Sequence, residues 1–305
     1  MKALFTGASS PLGTAVLAHV LASPRFEEVS CTVHEHVIPL QSPKLRPRVL
    51  DLAAPLNADE FSPAVDLLIH FASVTRARDA RTYRRVNVEG SLRLVEALRQ
   101  RGCRNAFYVS TRCVGPQERT LSCGAYGESK RVLEDALLNM DWHSLVIVRP
   151  AEVYGAGTKE GIDQFIRLAR TFRIVPMIVG DPRVRFAPLH YQDFVRIVTE
   201  FLDVMPKGSH VYELCGPEVL DGAALAKTLS KTFSALPIPV WCPMLTTMLR
   251  GLAAIGAPVV APDQIDRLIG DKSSEIPSAT LISRSHLTTF HDGLRRVPSA
   301  LGPEP

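Results

Sequence analysis

The sequence has no uninterrupted apolar stretch of the ~18 residues that a membrane-spanning helix needs. Its first ten residues, MKALFTGASS, hold one lysine and no apolar core of signal-peptide length, so no secretory leader is expected. The six cysteines, at 31, 103, 113, 123, 215 and 242, form no CxxC pair and no zinc spacing. Reduced thiols, a cytoplasmic location and no metal site are the corresponding expectations. No internal repeat or low-complexity tract is present, which excludes solenoids and tail-like segments. Charge of one sign is also lacking: the net charge is +4, too small to mark a nucleic-acid binder. Nine arginines fall between residues 76 and 104 (76, 78, 81, 84, 85, 93, 99, 101 and 104) against Asp79, Glu89 and Glu96. Aromatics are sparse there, so a solvated helix surface is expected rather than a nucleic-acid face.

What the chain does have is apolar material and a regular rhythm. With 46% hydrophobic and 22% charged residues over 305 positions, it can bury a sizeable core, in two domains or one large one. Strand-like patches at Lys2–Thr6, Val29–Val33, Arg48–Leu52, Val65–Phe71, Ala106–Val109 and Ser144–Val148 alternate with helix-like ones. Helical spacing covers Pro11–Leu21, Val86–Arg101 and Ser129–Asn139. This alternation predicts an α/β fold, a Rossmann-type doubly wound parallel sheet. After Arg149 the rhythm breaks. Residues 1–155 are expected to form a nucleotide-binding domain to which 189–214 returns. Residues 156–188 and 216–305 are expected to form a smaller C-terminal substrate-binding region. Residues 237–262 are apolar with Arg250 the only charge, and a helix is expected over Pro243–Ile255. Core, subunit contact, substrate lid and membrane-surface helix all remain open for it, though its polar face lacks the Lys/Arg enrichment of a surface binder.

The first strand runs into Thr6-Gly7-Ala8-Ser9-Ser10-Pro11-Leu12-Gly13. Gly7 permits a tight turn, Gly13 permits close helix–strand packing, and Pro11 suits a first helical turn. The free N–H groups at such a helix start suit a pyrophosphate. Ser10 stands where the ideal fingerprint has its middle glycine, and its hydroxyl could donate to phosphate. The second strand ends at His34, where a carboxylate would grip the ribose of NAD. That acid is missing, Glu35 falls one place late, and NAD and NADP stay undistinguished. Asp51 and Leu52 sit where a side chain could meet adenine. Tyr126 and Lys130, four apart, share one helix face. An ammonium beside a phenol favours the phenolate, which fits acid–base work.

In this setting the chain resembles the extended short-chain dehydrogenase/reductase family, specifically its NAD-dependent epimerase/dehydratase branch. Thr6–Gly13 is similar to the family's TGxxGxxG with the one departure at Ser10. Ile69-His70-Phe71-Ala72 resembles the segment beside the cofactor. Asn87-Val88-Glu89-Gly90 resembles the N-x-x-G helix start, and Tyr108-Val109-Ser110-Thr111 the strand carrying the active-site hydroxyl. Arg149-Pro150 with Val153-Tyr154-Gly155 resembles R-P-x-x-V-Y-G. Leu189-His190-Tyr191-Gln192-Asp193 resembles V-H-V-x-D. Tyr212–Gly216 and Phe290–Leu294 match late segments.

The resemblance implies Tyr126 as general acid/base, Lys130 as its electrostatic partner, and Thr111 as the hydroxyl on the reacting oxygen, with Ser110 the fallback. It implies NAD or NADP as cofactor, met by Gly7, Ser9, Ser10, Pro11, Leu12, Gly13, His34, Asp51, Leu52, Phe71, Ala72, Ser73, Asn87, Lys130, Pro150 and Val153. Arg76, Arg112, Arg183 and Arg185 are substrate-binding candidates, the last two for a sugar diphosphate. Arg112-Cys113 stand where sugar dehydratases of the branch carry Asp-Glu, which argues against dehydration. The expected activity is epimerisation or 4-keto reduction of a nucleotide-activated sugar. An alcohol dehydrogenase or reductase of an apolar, steroid- or flavonoid-like substrate is the first alternative. A non-catalytic nucleotide-binding subunit is the second. The expected partner is the small-molecule substrate, with no nucleic acid and no integral membrane segment, and a homodimer is left open.

Overall fold

The computed structural model describes residues 1–33, 38–56, 65–77, 79–115, 124–158, 161–254, 267 and 287–297. His34, Arg78, Cys123 and Ile255 lie outside them. The chain divides into two compact units: residues 1–114, 125–149 and 195–212, and residues 115–124, 150–194 and 213–305.

The first unit is built on a seven-stranded sheet. Its strands are β1 (Lys2–Thr6), β2 (Glu28–Val33), β3 (Leu45–Val49), β4 (Leu67–His70), β5 (Asn105–Val109), β6 (Ser144–Pro150) and an edge strand β11 (Gly208–Leu214). The spatial order is β11-β6-β5-β4-β1-β2-β3. All pairings among β1 to β6 are parallel. Parallel neighbours need crossovers, and these are supplied by helices such as α1 (Pro11–Ala22). A second crossover combines α2 (Ala80–Tyr83), a π-helix (Arg84–Gly90) and α3 (Ser91–Gln100). The third is α4 (Gly124–Leu138), and α6 (Tyr191–Val204) precedes β11. One face of the sheet buries Leu4, Leu68, Tyr108 and Ile147 against Leu94, Leu98 and Leu133. The strand order reverses between β1 and β4, the place where open α/β sheets bind ligands.

The third strand forms three residues earlier than its apolar residues suggest. Leu45–Val49 pairs with β2, and Leu50 and Leu52 follow it as buried loop residues. Pro47 sits in it without harm because β3 is an edge strand and needs no donor on its outer side. The helix α4 begins at Gly124 rather than Ser129, because Gly124–Glu128 carries little apolar periodicity to announce it.

In the second unit, β7 (Val153–Tyr154) pairs with β10 (Leu189–His190), and β9 (Arg185–Phe186) with β12 (Leu220–Asp221). The strand β8 (Ile174–Val179) pairs in parallel with β13 (Leu236–Trp241). Leu189 and His190 thus pair with Val153 and Tyr154, the end of the 1–155 stretch to which they were expected to return, and both strands fall in the second unit. Between and around these strands lie α5 (Ile162–Thr171), α7 (Gly222–Phe233), α8 (Cys242–Ala254) and α9 (Phe290–Arg296). The unit's core gathers Tyr154, Ile166, Val175, Phe186, Leu225, Leu229, Phe290 and Leu294. Cys31, Cys103, Cys113, Cys215 and Cys242 are buried and form no disulfide among the described residues. Among the described residues no helix is long and apolar enough to cross a membrane, and no cluster of three metal-ligating side chains occurs.

Candidate active site

The turn after β1 lies at the strand-order reversal. Gly7 has φ +74°, and a Cβ there would lie 2.6 Å from the Ala72 backbone nitrogen. A Cβ on Gly13 would lie 2.2 Å from the Gly7 carbonyl oxygen. Both glycines therefore hold the backbone closer than any side chain would allow, and α1 starts at the mouth of the crevice. A close turn of this kind running into a helix start is the arrangement that accepts a dinucleotide pyrophosphate in open α/β sheets. Ser9, Pro11 and Leu12 lie on this turn and first helical residues.

Ser10 fits the cradle differently from the expectation. Its hydroxyl donates to the Gly7 carbonyl at 2.9 Å and accepts from the Gly13 N–H at 3.1 Å. Its hydrogen is therefore not directed at a phosphate, and Ser10 is the N-cap of α1. Ser10→Ala is expected to lower unfolding free energy by about 1 kcal/mol, and Ser10→Gly by only a few tenths. Chemical denaturation of the three forms checks this. An Ala variant as stable as the parent would show the cap to be idle.

Below the turn, Thr6 Oγ1 meets His70 Nδ1 at 2.7 Å and accepts from the Ala72 N–H at 3.2 Å. His70 Nε2 meets Ser91 Oγ at 2.9 Å. Burial, aided by the nearby Lys130 charge, pushes the His70 pKa down to about 3. The ring is thus a neutral strut fixing the ends of β1 and β4, along with the following Phe71, Ala72 and Ser73. Phe71 stacks on Phe5, with centroids 5.1 Å apart.

Asn87 was expected to meet cofactor, but its amide is already occupied. Its Oδ1 accepts from Val74 N at 2.8 Å, and its Nδ2 donates to the Val74 carbonyl at 3.0 Å and to Ser129 Oγ at 3.1 Å. The π-helix of residues 84–90 carries it. Such wide turns often mark functional sites. Asn87 therefore ties the segment after β4 to α4. Gly90 ends that π-helix against the Leu52 backbone, whose carbonyl would lie 2.1 Å from an added Cβ. Asp51 is exposed and accepts from the Ala53 N–H at 2.7 Å, whereas Leu52 is buried.

On α4, Ser129 Oγ donates to the Tyr126 carbonyl at 2.7 Å. Tyr126 is nearly buried, its ring edge-on to Tyr83 with centroids 6.0 Å apart. Lys130, four residues on, is 1% exposed. Its Nζ donates to the Val109 carbonyl at 2.8 Å and sits 4.4 Å from the centre of the Tyr108 ring. Burial pulls its pKa from the ordinary 10.5 down to about 7, against the opposing pull of Glu134. Burial and the Glu134 carboxylate hold the Tyr108 phenol well above its usual range. Gly127 lets α4 approach the Cys113 carbonyl, which would lie 2.2 Å from an added Cβ.

The two candidate hydroxyls differ in setting. Ser110 is buried, and its Oγ has no hydrogen bond of normal geometry, although it is near enough to Tyr108 to offset slightly the rise in that phenol's pKa. Thr111 is half-buried, and its Oγ1 accepts from the Cys113 N–H at 3.2 Å, which leaves its own hydrogen free to donate. Arg112 and Cys113 are both buried.

The other arginine candidates are divided between the two units. Arg76 is exposed in the first unit. Arg183 in the second unit is held by Asp181, with Nη2 to Oδ2 at 2.7 Å and Nε to Oδ1 at 3.0 Å. That pairing already occupies the fork expected to grip a diphosphate. Arg185 is exposed, opposite Asp221 on β12. Pro150 and Val153 are half-buried in the second unit. Sequence reading did not single out Glu134. Both of its carboxylate oxygens are taken by buried Arg149, at 2.6 Å from Nη2 and 3.0 Å from Nε to Oε2 and 3.2 Å from Nε to Oε1.

Residues 3–215 match the model of the NAD dependent epimerase/dehydratase family. The ceramide reductase of Caulobacter vibrioides is 33% identical over 143 residues, 47% of this chain and 42% of that protein. The UDP-glucose 4-epimerase of Vibrio cholerae is 24% identical over 226 residues, 68% of this chain and 66% of that one. The matches thus span less than two thirds of either relative. Among solved structures, MoeE5 in complex with UDP-glucose and NAD superposes with TM-score 0.73 at 21% identity, covering 97% of each chain. DesIV of Streptomyces venezuelae, a dTDP-glucose 4,6-dehydratase with NAD bound, gives 0.75 at 19% identity over 97% of this chain and 95% of its own. These two share the Rossmann-type fold. The chain belongs to the NAD dependent epimerase/dehydratase family.

Proposed function

We propose that the protein exchanges hydride between a nicotinamide dinucleotide and a carbon bearing a hydroxyl or carbonyl group, with Tyr126 handling the proton on that oxygen. The observation that carries this reading is Lys130, a buried ammonium one helical turn after Tyr126 and fixed by the Val109 carbonyl. When bound, the nicotinamide supplies the acceptor or donor of hydride. Gly7, Gly13 and the start of α1 provide the close backbone and N–H groups for its pyrophosphate. The Tyr126 hydroxyl gives a proton to a ketone oxygen during reduction, or takes one from a hydroxyl during oxidation. Lys130 favours the phenolate by its charge. Thr111 donates a hydrogen bond to the same oxygen. Arg112 and Cys113, not a carboxylate pair, stand directly after Thr111, so dehydration is not part of the proposal.

Following the family, the substrate is a nucleotide-activated sugar, epimerised at C4 or reduced at a 4-keto group. A second reading, reduction of a ketone on an apolar substrate, has its own observations. Leu236, Ile238, Trp241, Met244 and Met248 are all exposed within β13 and α8. Arg183, the expected diphosphate ligand, is committed to Asp181. The 33%-identical relative is a ceramide reductase.

One experiment covers both readings. NADH and NADPH are titrated against the purified protein. Turnover is then followed by nicotinamide absorbance with a nucleotide 4-keto sugar and with a long-chain ketone in mixed micelles, and C4 epimerisation of a nucleotide sugar by chromatography. Sub-millimolar binding of one cofactor and turnover of one substrate class are expected. Absence of binding by both cofactors defeats the enzyme reading, whereas binding of a cofactor without turnover of any of these substrates leaves the non-catalytic nucleotide-binding subunit.

A further inference from the structure

Lys130 presents a problem of charge. An ammonium this deeply buried has lost its water, and its recorded hydrogen bond, to Val109, is to a neutral carbonyl. The Tyr108 ring face adds a cation–π contact at 4.4 Å. Such contacts alone rarely hold a buried ammonium protonated. Titratable and charged groups reach this spot from every neighbouring element. His70 on β4 is neutral, Tyr108 on β5 and Tyr126 on α4 are phenols, and Arg149 on β6 is positive. The negative group is Glu134, one turn beyond Lys130 on the same face of α4 and itself fully buried.

Glu134 is not simply a partner for Lys130, because Arg149 takes both of its oxygens. Resting on the Tyr126/Lys130 reading above, we propose that Glu134, tethered by Arg149, is a positioning residue that keeps Lys130 charged while leaving its ammonium free for the active site. The arrangement divides two tasks. Glu134 supplies negative potential beneath the ammonium. Arg149 stops that carboxylate from swinging up to form a closed ion pair, which would draw Nζ away from Val109 and from Tyr126. Burial lowers the Lys130 pKa, and the Glu134 charge opposes that fall, which is the direction the proposal needs.

The two partners should therefore act on Lys130 with opposite signs, whereas mere damage to the core would push both variants the same way. The chain has eight lysines, few enough to follow by NMR of their Cε carbons without bound cofactor. The Lys130 signal is assigned by its absence from Lys130→Met. Glu134→Gln is expected to lower the Lys130 titration midpoint by about one pH unit or more. Arg149→Met, which hands the whole Glu134 charge to Lys130, is expected to raise it. The double variant Glu134→Gln/Arg149→Met leaves no unpaired charge of that pair. It covers the case in which Glu134→Gln alone does not fold, and it too should titrate below the parent.

Midpoints within about 0.3 of the parent in Glu134→Gln, or in the double variant where the single does not fold, overturn the proposal. So does Arg149→Met moving downward. A kinetic arm keeps this separate from the reading it rests on. The alkaline limb of turnover should move to lower pH in Glu134→Gln by the amount seen in the NMR titration. If Lys130→Met turns over normally, the Tyr126/Lys130 reading fails whatever the titration shows. If Lys130→Met is inactive but the Glu134→Gln midpoint is unchanged, this proposal alone fails.

Discussion

Tyr126→Phe is expected to lower turnover by roughly 10²–10⁴-fold and to leave cofactor affinity nearly unchanged. The ring keeps its edge-on contact with Tyr83, so packing survives, and only the ionisable oxygen is lost. Lys130→Met should lower both turnover and cofactor affinity, because Lys130 acts on the phenol and, by the family resemblance, on the nicotinamide ribose. The hydroxyl beside them can be assigned by a paired comparison. Thr111→Val should reduce turnover more than affinity, while Ser110→Ala should have a small effect, since Ser110 is buried and Thr111 keeps a hydrogen to donate. A crippled Ser110→Ala with a mild Thr111→Val would move the role to Ser110. Steady-state turnover and cofactor titration of the variants decide among these outcomes. Near-full turnover by Tyr126→Phe would sink the mechanism.

The parts of this site that were legible in the sequence are those whose function is written in one contiguous stretch. Gly7, Pro11 and Gly13 announce the strand–turn–helix cradle because a glycine needs no partner to state its meaning. Tyr126 and Lys130 share a helix face by spacing alone. What stayed hidden depends on residues that meet only through the fold. The Ser10 hydroxyl could have faced a phosphate, and its turn back to Gly7 and Gly13 is a matter of backbone dihedrals at the N-cap. Asn87 is named for the cofactor by the N-x-x-G resemblance, and nothing in the sequence shows that a π-turn carries its amide to Val74 and Ser129. Glu134 and Arg149 lie on a helix and a strand fifteen residues apart, and nothing local links them. The strand at Leu45–Val49 was misplaced for the converse reason. Leu50 and Leu52 are apolar because they are buried after the strand, Leu52 beside Gly90, and an edge strand tolerates Arg46, Pro47 and Arg48.

Lys130→Met, the variant that should disable the enzyme, is also expected to make it more stable. The Lys130 pKa falls from 10.5 to about 7 on folding, so at about 1.4 kcal/mol per unit the buried ammonium costs on the order of 5 kcal/mol. Methionine fills similar volume with no charge to desolvate, though it forfeits the Val109 hydrogen bond. A net gain of about 2–4 kcal/mol in unfolding free energy is therefore expected near neutral pH. The sign of its pH dependence follows from proton counts. Below about pH 7 both folded and unfolded chains hold the Lys130 proton, and the folded state bears the whole penalty. Between about 7 and 10.5 the unfolded chain holds a proton that the folded one has released. Unfolding free energy from this group then rises with pH, by up to about 1.4 kcal/mol per pH unit. The parent should gain on Lys130→Met through that window, and the gap between them should close toward about pH 10. Urea denaturation of both forms from about pH 6 to pH 10 measures the gap directly, and subtracting one curve from the other removes every other titrating group they share. A gap that stays constant across that range would mean that Lys130 is not a strained ammonium in the folded protein, and the stability held back at this position would need another cause.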